Sequence, residues 1–161
     1  MKNYLAKLRE NEEKGFSLVE LIIVMAIMAI LVGVVASQVI PYMEKSRQSK
    51  DQQQLSSLAT NVVSAVAQSG KDVGAFNKVP MSTLDTNSKT KDFAPTLAEL
   101  AGESASTNPC AAYGTTIADK LTSKQAKGKS NADILVSMTA KGVVTVEING
   151  ATSDKLKVVS E

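Results

Sequence analysis

The strongest pattern in the chain is a block of apolar residues near its N-terminus. Residues 1–15 are polar and charged. An apolar run then opens at Phe16 and continues to Met43, with Ser17, Glu20, Ser37, Gln38 and Pro41 as its interruptions. A bilayer core is crossed by about 20 mainly apolar residues in a helix, so 16–43 is long enough to span a membrane. Lys2, Lys7, Arg9 and Lys14 precede the run beside Glu10, Glu12 and Glu13. Bases on this flank favour an N-in, C-out orientation, and acids count for little in that bias. Residues 44–54 (EKSRQSKDQQQ) are polar throughout and contain no Gly or Pro, which suits an exposed helix. Lys45, Arg47 and Lys50 are within reach of lipid headgroups, although a solvated face is the simpler reading. Leu55, Leu58, Val62 and Val66 then recur at spacings of 3, 4 and 4, one apolar stripe of a helix. Ser69-Gly70 ends the pattern.

The spacing therefore predicts one long helix over 16–69, about 80 Å at 1.5 Å per residue. Its first half is apolar all round and its second half is amphipathic. Gly33 and Pro41 are its weak points. Pro41 offers no N–H to the carbonyl of Ser37 and crowds it. The outcome is either a mild kink, tolerated in membrane helices, or a weak segment able to extend. Residues 70–161 form a globular head. Within it, 71–94 reads as a long irregular loop with room for one short strand. A helix over 95–101 is started by Pro95 and stopped by Gly102. Residues 102–131 read as loop again, with Lys120, Lys124, Lys127 and Lys129 close together against Asp119. These lysines suggest a patch for anionic surfaces or DNA. The absence of an aromatic among them to stack bases favours a solvated loop instead.

Residues 132–160 have the period of strands. Ile134, Val136 and Met138 share one face, Val144, Val146 and Ile148 alternate with polar residues, and Leu156 and Val158 line a third strand. Lys141-Gly142 and Asn149-Gly150 supply the turns. The expectation is a three-strand antiparallel meander with one apolar face. Such a face needs a cover, and the stripe from Leu55 to Val66 is the obvious one. The fold class is α+β: a long N-terminal helix whose outer half packs on a small C-terminal antiparallel sheet.

Composition removes much chemistry. The 161 residues include no His and one Cys. Histidine-based catalytic triads, His-ligated metals, intramolecular disulfides and thiolate zinc clusters are thereby excluded. No metal or cofactor is expected, and no spacing of carboxylates points to an enzyme. The net charge of +2 argues against a generally basic nucleic-acid binder. Cys110 has three options, a buried thiol, a reactive surface thiol or an intermolecular link; burial is the common fate of a free Cys.

Glu20 is the anomaly. At the centre of a membrane helix an acid costs roughly 2.5–3.5 kcal/mol, and less near an end. It either sits among headgroups or finds a cationic partner. A cut after Gly15 would create one: Phe16 would carry a new α-amino group, four residues from Glu20 and on the same helical face. The stretch Lys14-Gly15-Phe16-Ser17-Leu18-Val19-Glu20-Leu21, followed by a long apolar helix, resembles the processing site of type IV pilins and related pseudopilins. The resemblance covers about residues 14–43. It implies that a leader over 1–15 stays in the cytoplasm and is removed by a membrane-embedded prepilin peptidase, that Phe16 becomes N-methylated, and that Glu20 guides assembly. It also implies the pilin fold and a mid-helix Pro that loosens the helix, usually nearer the N-terminus than Pro41. The protein it implies is inserted in the cytoplasmic membrane as a precursor. With identical subunits and the pilus assembly machinery it then forms a helical surface filament serving adhesion, twitching motility, biofilm formation or DNA uptake. Many Gram-negative pilins close a C-terminal loop with two cysteines, which the lone Cys110 cannot do. With Phe16 and Tyr42 as the only aromatics of the long helix, electron conduction along a fibre is disfavoured.

Other readings are a pseudopilin of a secretion or competence machine, and a membrane-anchored surface binding module. A secretory signal peptide would use Val34-Val35-Ala36 before Ser37. However, the apolar region exceeds the usual 7–15 residues, and Glu20 lies inside it.

Overall fold

The computed structural model describes residues 16–103 and 107–160, so the leader expected over 1–15 lies outside the described residues. In chain order the elements are α1 (Leu18–Ser69), β1 (Phe76–Pro80), α2 (Ala94–Ala101), α3 (Pro109–Lys120), β2 (Ile134–Met138), β3 (Val144–Ile148) and β4 (Lys157–Ser160), with single 3-10 turns at Met81–Thr83, Asn131–Asp133 and Asp154–Leu156. Two compact units divide between Tyr42 and Met43.

The first unit is the apolar part of α1. Every side chain from 16 to 42 is exposed in the single chain. Among the described residues this is the one helix long and apolar enough to cross a membrane. The helix continues through Gly33 and Pro41. The Ser37 hydroxyl donates to the Val34 carbonyl at 2.8 Å, a local bond of the kind that competes with the helical ladder.

The second unit pairs the remainder of α1 with a sheet. Leu55, Leu58 and Val62 are fully buried, and Val66 packs partly buried against the same core. The sheet is four-stranded and antiparallel in the order β1-β2-β3-β4. Val79, Val136, Val146 and Val158 stand in register across it, as do Ile134 and Ile148. These residues form the inner face and join the helix stripe in one core. The opposite face carries Ser137, Thr145, Glu147 and Lys157.

Three expectations need correction. The meander has a fourth strand, β1, which adds to the edge of β2. It is the one short strand for which 71–94 has room, and its place in the sheet is not evident from the pattern because a bulge breaks it between Phe76 and Val79. Lys78 sits in the bulge at φ +48, which is costly for a side chain. Its backbone N–H donates to Ser137 Oγ at 2.9 Å, and its ammonium meets Glu147 at 2.8 Å. Leu156 is buried, but in the 3-10 turn ahead of β4 rather than in the strand. The largest correction is α3, inside the stretch read as loop. Its buried residues are Cys110, Gly114, Ile117 and Ala118, a helical stripe made almost wholly of small side chains. Smallness is required at Gly114, where a Cβ would lie 2.7 Å from that of Met81 and 2.9 Å from that of Asn131. The cap of α3 is also remote: Asp85 accepts the Cys110 N–H at 3.1 Å. By contrast α2 begins and ends where Pro95 and Gly102 indicate. Gly102 takes φ +77 and Glu103 N–H returns to the Ala98 carbonyl at 2.9 Å, the left-handed helix end that Gly permits.

The polar run 44–54 also departs from the simple solvated face. Counting back from Leu55 by 4, 3 and 4 reaches Asp51, Gln48 and Glu44, so these continue the stripe in phase. Asp51 is fully buried. Its carboxylate accepts the N–H groups of Thr122 at 2.9 Å and Ser123 at 2.8 Å, just past the end of α3. Gln48 accepts from the Ser153 hydroxyl at 3.2 Å, and Glu44 accepts the Lys124 N–H at 2.6 Å. Lys45, Arg47 and Lys50 remain exposed.

A small domain is marginal unless its core is complete. A fragment beginning at Pro41 should therefore fold, and one beginning at Gly70 should be unfolded or aggregated; equal melting temperatures would show that α1 is not the cover. Leu58→Ala should cost roughly 2–5 kcal/mol in denaturant unfolding. Asp51→Ala leaves two backbone N–H groups without their acceptor and should cost about 2–4 kcal/mol. A loss below about 0.5 kcal/mol would mean that the contact contributes no net stability.

Candidate processing and assembly segment

The site expected from the sequence lies at the start of α1. Gly15 is outside the described residues, so one side of the expected cleavage bond is described. Phe16 and Ser17 precede the helix, and Phe16 is 84% exposed. Ser17 caps it: the Ser17 hydroxyl accepts the Val19 N–H at 3.3 Å, and the Glu20 carboxylate reaches back to accept the Ser17 N–H at 2.9 Å. Ser17-Leu18-Val19-Glu20 is thus a Ser-x-x-Glu cap in which the hydroxyl takes the Val19 N–H in place of that of Glu20, and it supplies acceptors to two N–H groups that the helix itself cannot bond. Glu20 has a local reason to be acidic, since a carboxylate at the third helical position also faces the positive end of the helix dipole. The sequence contains the signal for this arrangement, a Ser followed three residues later by Glu at the mouth of an apolar run. Reading Glu20 as a headgroup charge or as the partner of an α-amino group leaves this local role out.

The cap leaves the carboxylate with capacity. An ionised carboxylate has about four acceptor sites, and the Ser17 N–H occupies one. Further along, Leu31, Val32, Val35, Ala36 and Val39 line an apolar groove of about 330 Å³ on the flank of α1. Grooves between side-chain ridges are what a second helix packs into.

Among the described residues the head offers no comparable constellation. A depression of about 320 Å³ lies at one end of the sheet, lined by Phe76, Lys89, Met138 and Thr145 among others. The Lys89 ammonium there already donates to the Ala75 carbonyl at 3.1 Å. No group of three or more His, Cys, Asp or Glu is placed to hold a metal ion among the described residues. Cys110 is buried, and its thiol donates to the Ala94 carbonyl at 3.3 Å. Burial, with the negative Asp85 beside it, pushes this thiol far above its ordinary range, so it is held as an inert neutral group. The other shifts have structural causes. A hydrogen bond from Lys71 lowers Asp92, and the Ser130 backbone N–H lowers Asp133. Burial raises Tyr113, opposed by the Asn61 amide that donates to its hydroxyl at 2.8 Å. Of the clustered lysines, Lys120, Lys124 and Lys127 are exposed, while Lys129 lies 3.9 Å from Asp133.

Comparison with known families matches residues 11–36 to the Prokaryotic N-terminal methylation motif. The matched stretch contains Gly15, Phe16, Ser17 and Glu20. Neither the curated proteins nor the solved structures yield a match. The chain carries the N-terminal methylation motif that is diagnostic of the prepilin and pseudopilin superfamily, and it carries it on a pilin-like fold.

Proposed function

We infer that the chain is the structural subunit of a type IV pilus, polymerising through α1 into a helical surface filament. The observation that supports this most is the apolar half of α1, exposed on every side and opened by a capped acid inside a methylation motif. Such a surface must be covered by lipid before assembly and by other helices afterwards. Both environments are apolar, so transfer between them carries little cost in burial. A repeated contact that does not close on itself generates a helical filament. Adhesion, motility, biofilm formation and DNA uptake are the uses such a fibre serves. The protein acts mechanically, with no catalytic residue.

Processing comes first. A prepilin peptidase cuts between Gly15 and Phe16 and the new amine is methylated. The peptidase must approach the backbone closely, and a side chain at Gly15 would obstruct it. Mass spectrometry of the mature protein should find an N-terminal, methylated Phe16. A mature chain starting at Ser37 would identify a secretory signal instead. Gly33 and Pro41 are the positions at which α1 would loosen as subunits pack. A pseudopilin would share the same N-terminal chemistry, and the size of the head, 70–161, favours the pilus. Long surface fibres that vanish on deletion of the protein separate the two.

The capping box sharpens the test of Glu20. In the filament its carboxylate pairs with the Phe16 amine of a neighbouring subunit, an interaction distinct from the cap. Glu20→Ala removes both; Glu20→Gln keeps an acceptor for the Ser17 N–H and removes only the charge. Leaving one member of a buried pair unpartnered costs about 3–5 kcal/mol. Both variants should be made, inserted and cleaved, and both should yield few or no sheared fibres relative to membrane-fraction protein. Normal fibre yield from Glu20→Gln with loss in Glu20→Ala would mean that the cap, and not the ion pair, governs assembly.

A further inference from the structure

The polar segment after the apolar run is nearly balanced in charge by composition, with Glu44 and Asp51 against Lys45, Arg47 and Lys50. The fold unbalances it. Both acids turn toward the head and are engaged by backbone N–H groups: Glu44 by Lys124, and Asp51 by Thr122 and Ser123. The three bases stay exposed. The same hydrogen bonds bring two loops of the head against this stretch of α1. One carries Lys124 and Lys127, both exposed. The other carries Lys155, whose ammonium donates to Ser49 Oγ at 2.9 Å, and whose neighbour Ser153 bonds Gln48 at 3.2 Å. Asp154 is the one exposed acid in these segments.

The bases occupy more than one side of the helix. Lys45 is about 100° from the direction that points Asp51, Leu55 and Leu58 into the core, and Lys50 lies about as far round the other way, at 100° per residue. They therefore form a collar around α1 rather than a stripe along it. A stripe suits a helix lying on a surface; a collar suits a surface crossed by the helix. Residues 44–51 rise about 10 Å beyond the end of the apolar run, roughly one Debye length at physiological salt. On the flank that is exported, these bases weaken the N-in bias of the leader, so their cost to topology calls for a compensating role.

We propose that this collar, Lys45, Arg47 and Lys50 together with Lys124 and Lys155, seats the head on the anionic phospholipid headgroups of the membrane while the subunit awaits assembly. The ligand is a bilayer surface rich in acidic lipid. The contact rests on insertion of the apolar half of α1 and not on filament formation. Depolymerised or newly made subunits would thereby be held with the head against the surface, and leaving the membrane would require these contacts to break.

The test uses the full chain reconstituted into two sets of vesicles, phosphatidylcholine alone and phosphatidylcholine with roughly 30% phosphatidylglycerol, a composition with a negative surface potential. Flotation with the vesicles checks insertion independently. A membrane-impermeant amine-reactive ester then labels lysines, read by mass spectrometry. Lys89 and Lys141, exposed beside the β2–β3 end of the sheet and away from the β3–β4 turn, serve as references. Each base near an anionic surface is worth about fivefold, so labelling of Lys124 and Lys155 should fall at least about fivefold in the acidic vesicles. It should recover in about 0.5 M salt, where screening is nearly complete. The combined variant Lys45→Gln, Arg47→Gln, Lys50→Gln should float equally well and lose the protection. Equal labelling in both vesicle types overturns the proposal. So does protection that persists in the triple variant or in zwitterionic vesicles, which would indicate contact between subunits. So does protection reproduced in detergent by free glycerol phosphate, which would indicate an anion site without a bilayer. Failure to float would instead undermine the membrane-anchored reading of α1.

Discussion

One face of one helix holds the head together. The inner side of the sheet presents Val136, Val144, Val146 and Ile134 fully buried, and what buries them includes Leu55, Leu58, Ala59 and Val62 of α1. Four short strands and two short helices cannot supply that cover from their own residues. The same face then continues in phase as Asp51, Gln48 and Glu44, where hydrogen bonds to loop backbone replace apolar contact. The sequence of events along the face is physical: greasy where it meets the sheet, polar where it meets loops whose N–H groups need acceptors. The head is thus built on α1 rather than attached to it.

At the start of α1 the same helix faces a different constraint. Its first N–H groups have no partners within the helix, and the environment beyond them is lipid or protein, where an unsatisfied group is costly. The Ser17–Glu20 box meets that requirement within a single chain. The Glu20 carboxylate is therefore already oriented within a single chain. A carboxylate held at a helix start keeps acceptor sites to spare, and the entropy of fixing its rotamer is spent in folding.

Much of this was legible from residue patterns, and what was not has identifiable causes. The apolar run, the stripe at Leu55 to Val66 and the alternation in β2 and β3 are strong periodic signals because large side chains mark the buried positions. The stop at Gly102 was legible because its left-handed backbone singles out glycine. Helix α3 was missed because Cys110, Gly114 and Ala118 bury little area each, and because its capping acid, Asp85, is 24 residues before Pro109. Room for a short strand in 71–94 was legible, but its pairing with β2 was not, because a bulge interrupts its register. The motif at the candidate site was legible because it is local. Its capping role was available from the same residues but belongs to helix ends rather than to membrane charges, and one reading displaced the other.

The polar segment shows most directly why composition is a poor guide to what a surface presents. Counted along the chain, 44–54 holds three bases and two acids. Helical phase assigns the acids to the face that Leu55, Leu58 and Val62 have already committed to the head. There the carboxylates meet loop N–H groups that donate to them. Lys45 and Lys50 are left on the remaining faces by the same geometry, whereas Arg47 lies within about 40° of Asp51 and is exposed all the same. A stretch that reads as an ordinary solvated helix is therefore sorted by the fold into an inner anionic half, engaged by backbone, and an outer cationic half, open to solvent. The sorting combines helical phase with contacts to loops 71 to 80 residues away in the chain. The repeat that runs through Leu55, Leu58 and Val62 carries Asp51, Gln48 and Glu44 onto the head side past the point where its residues cease to be apolar.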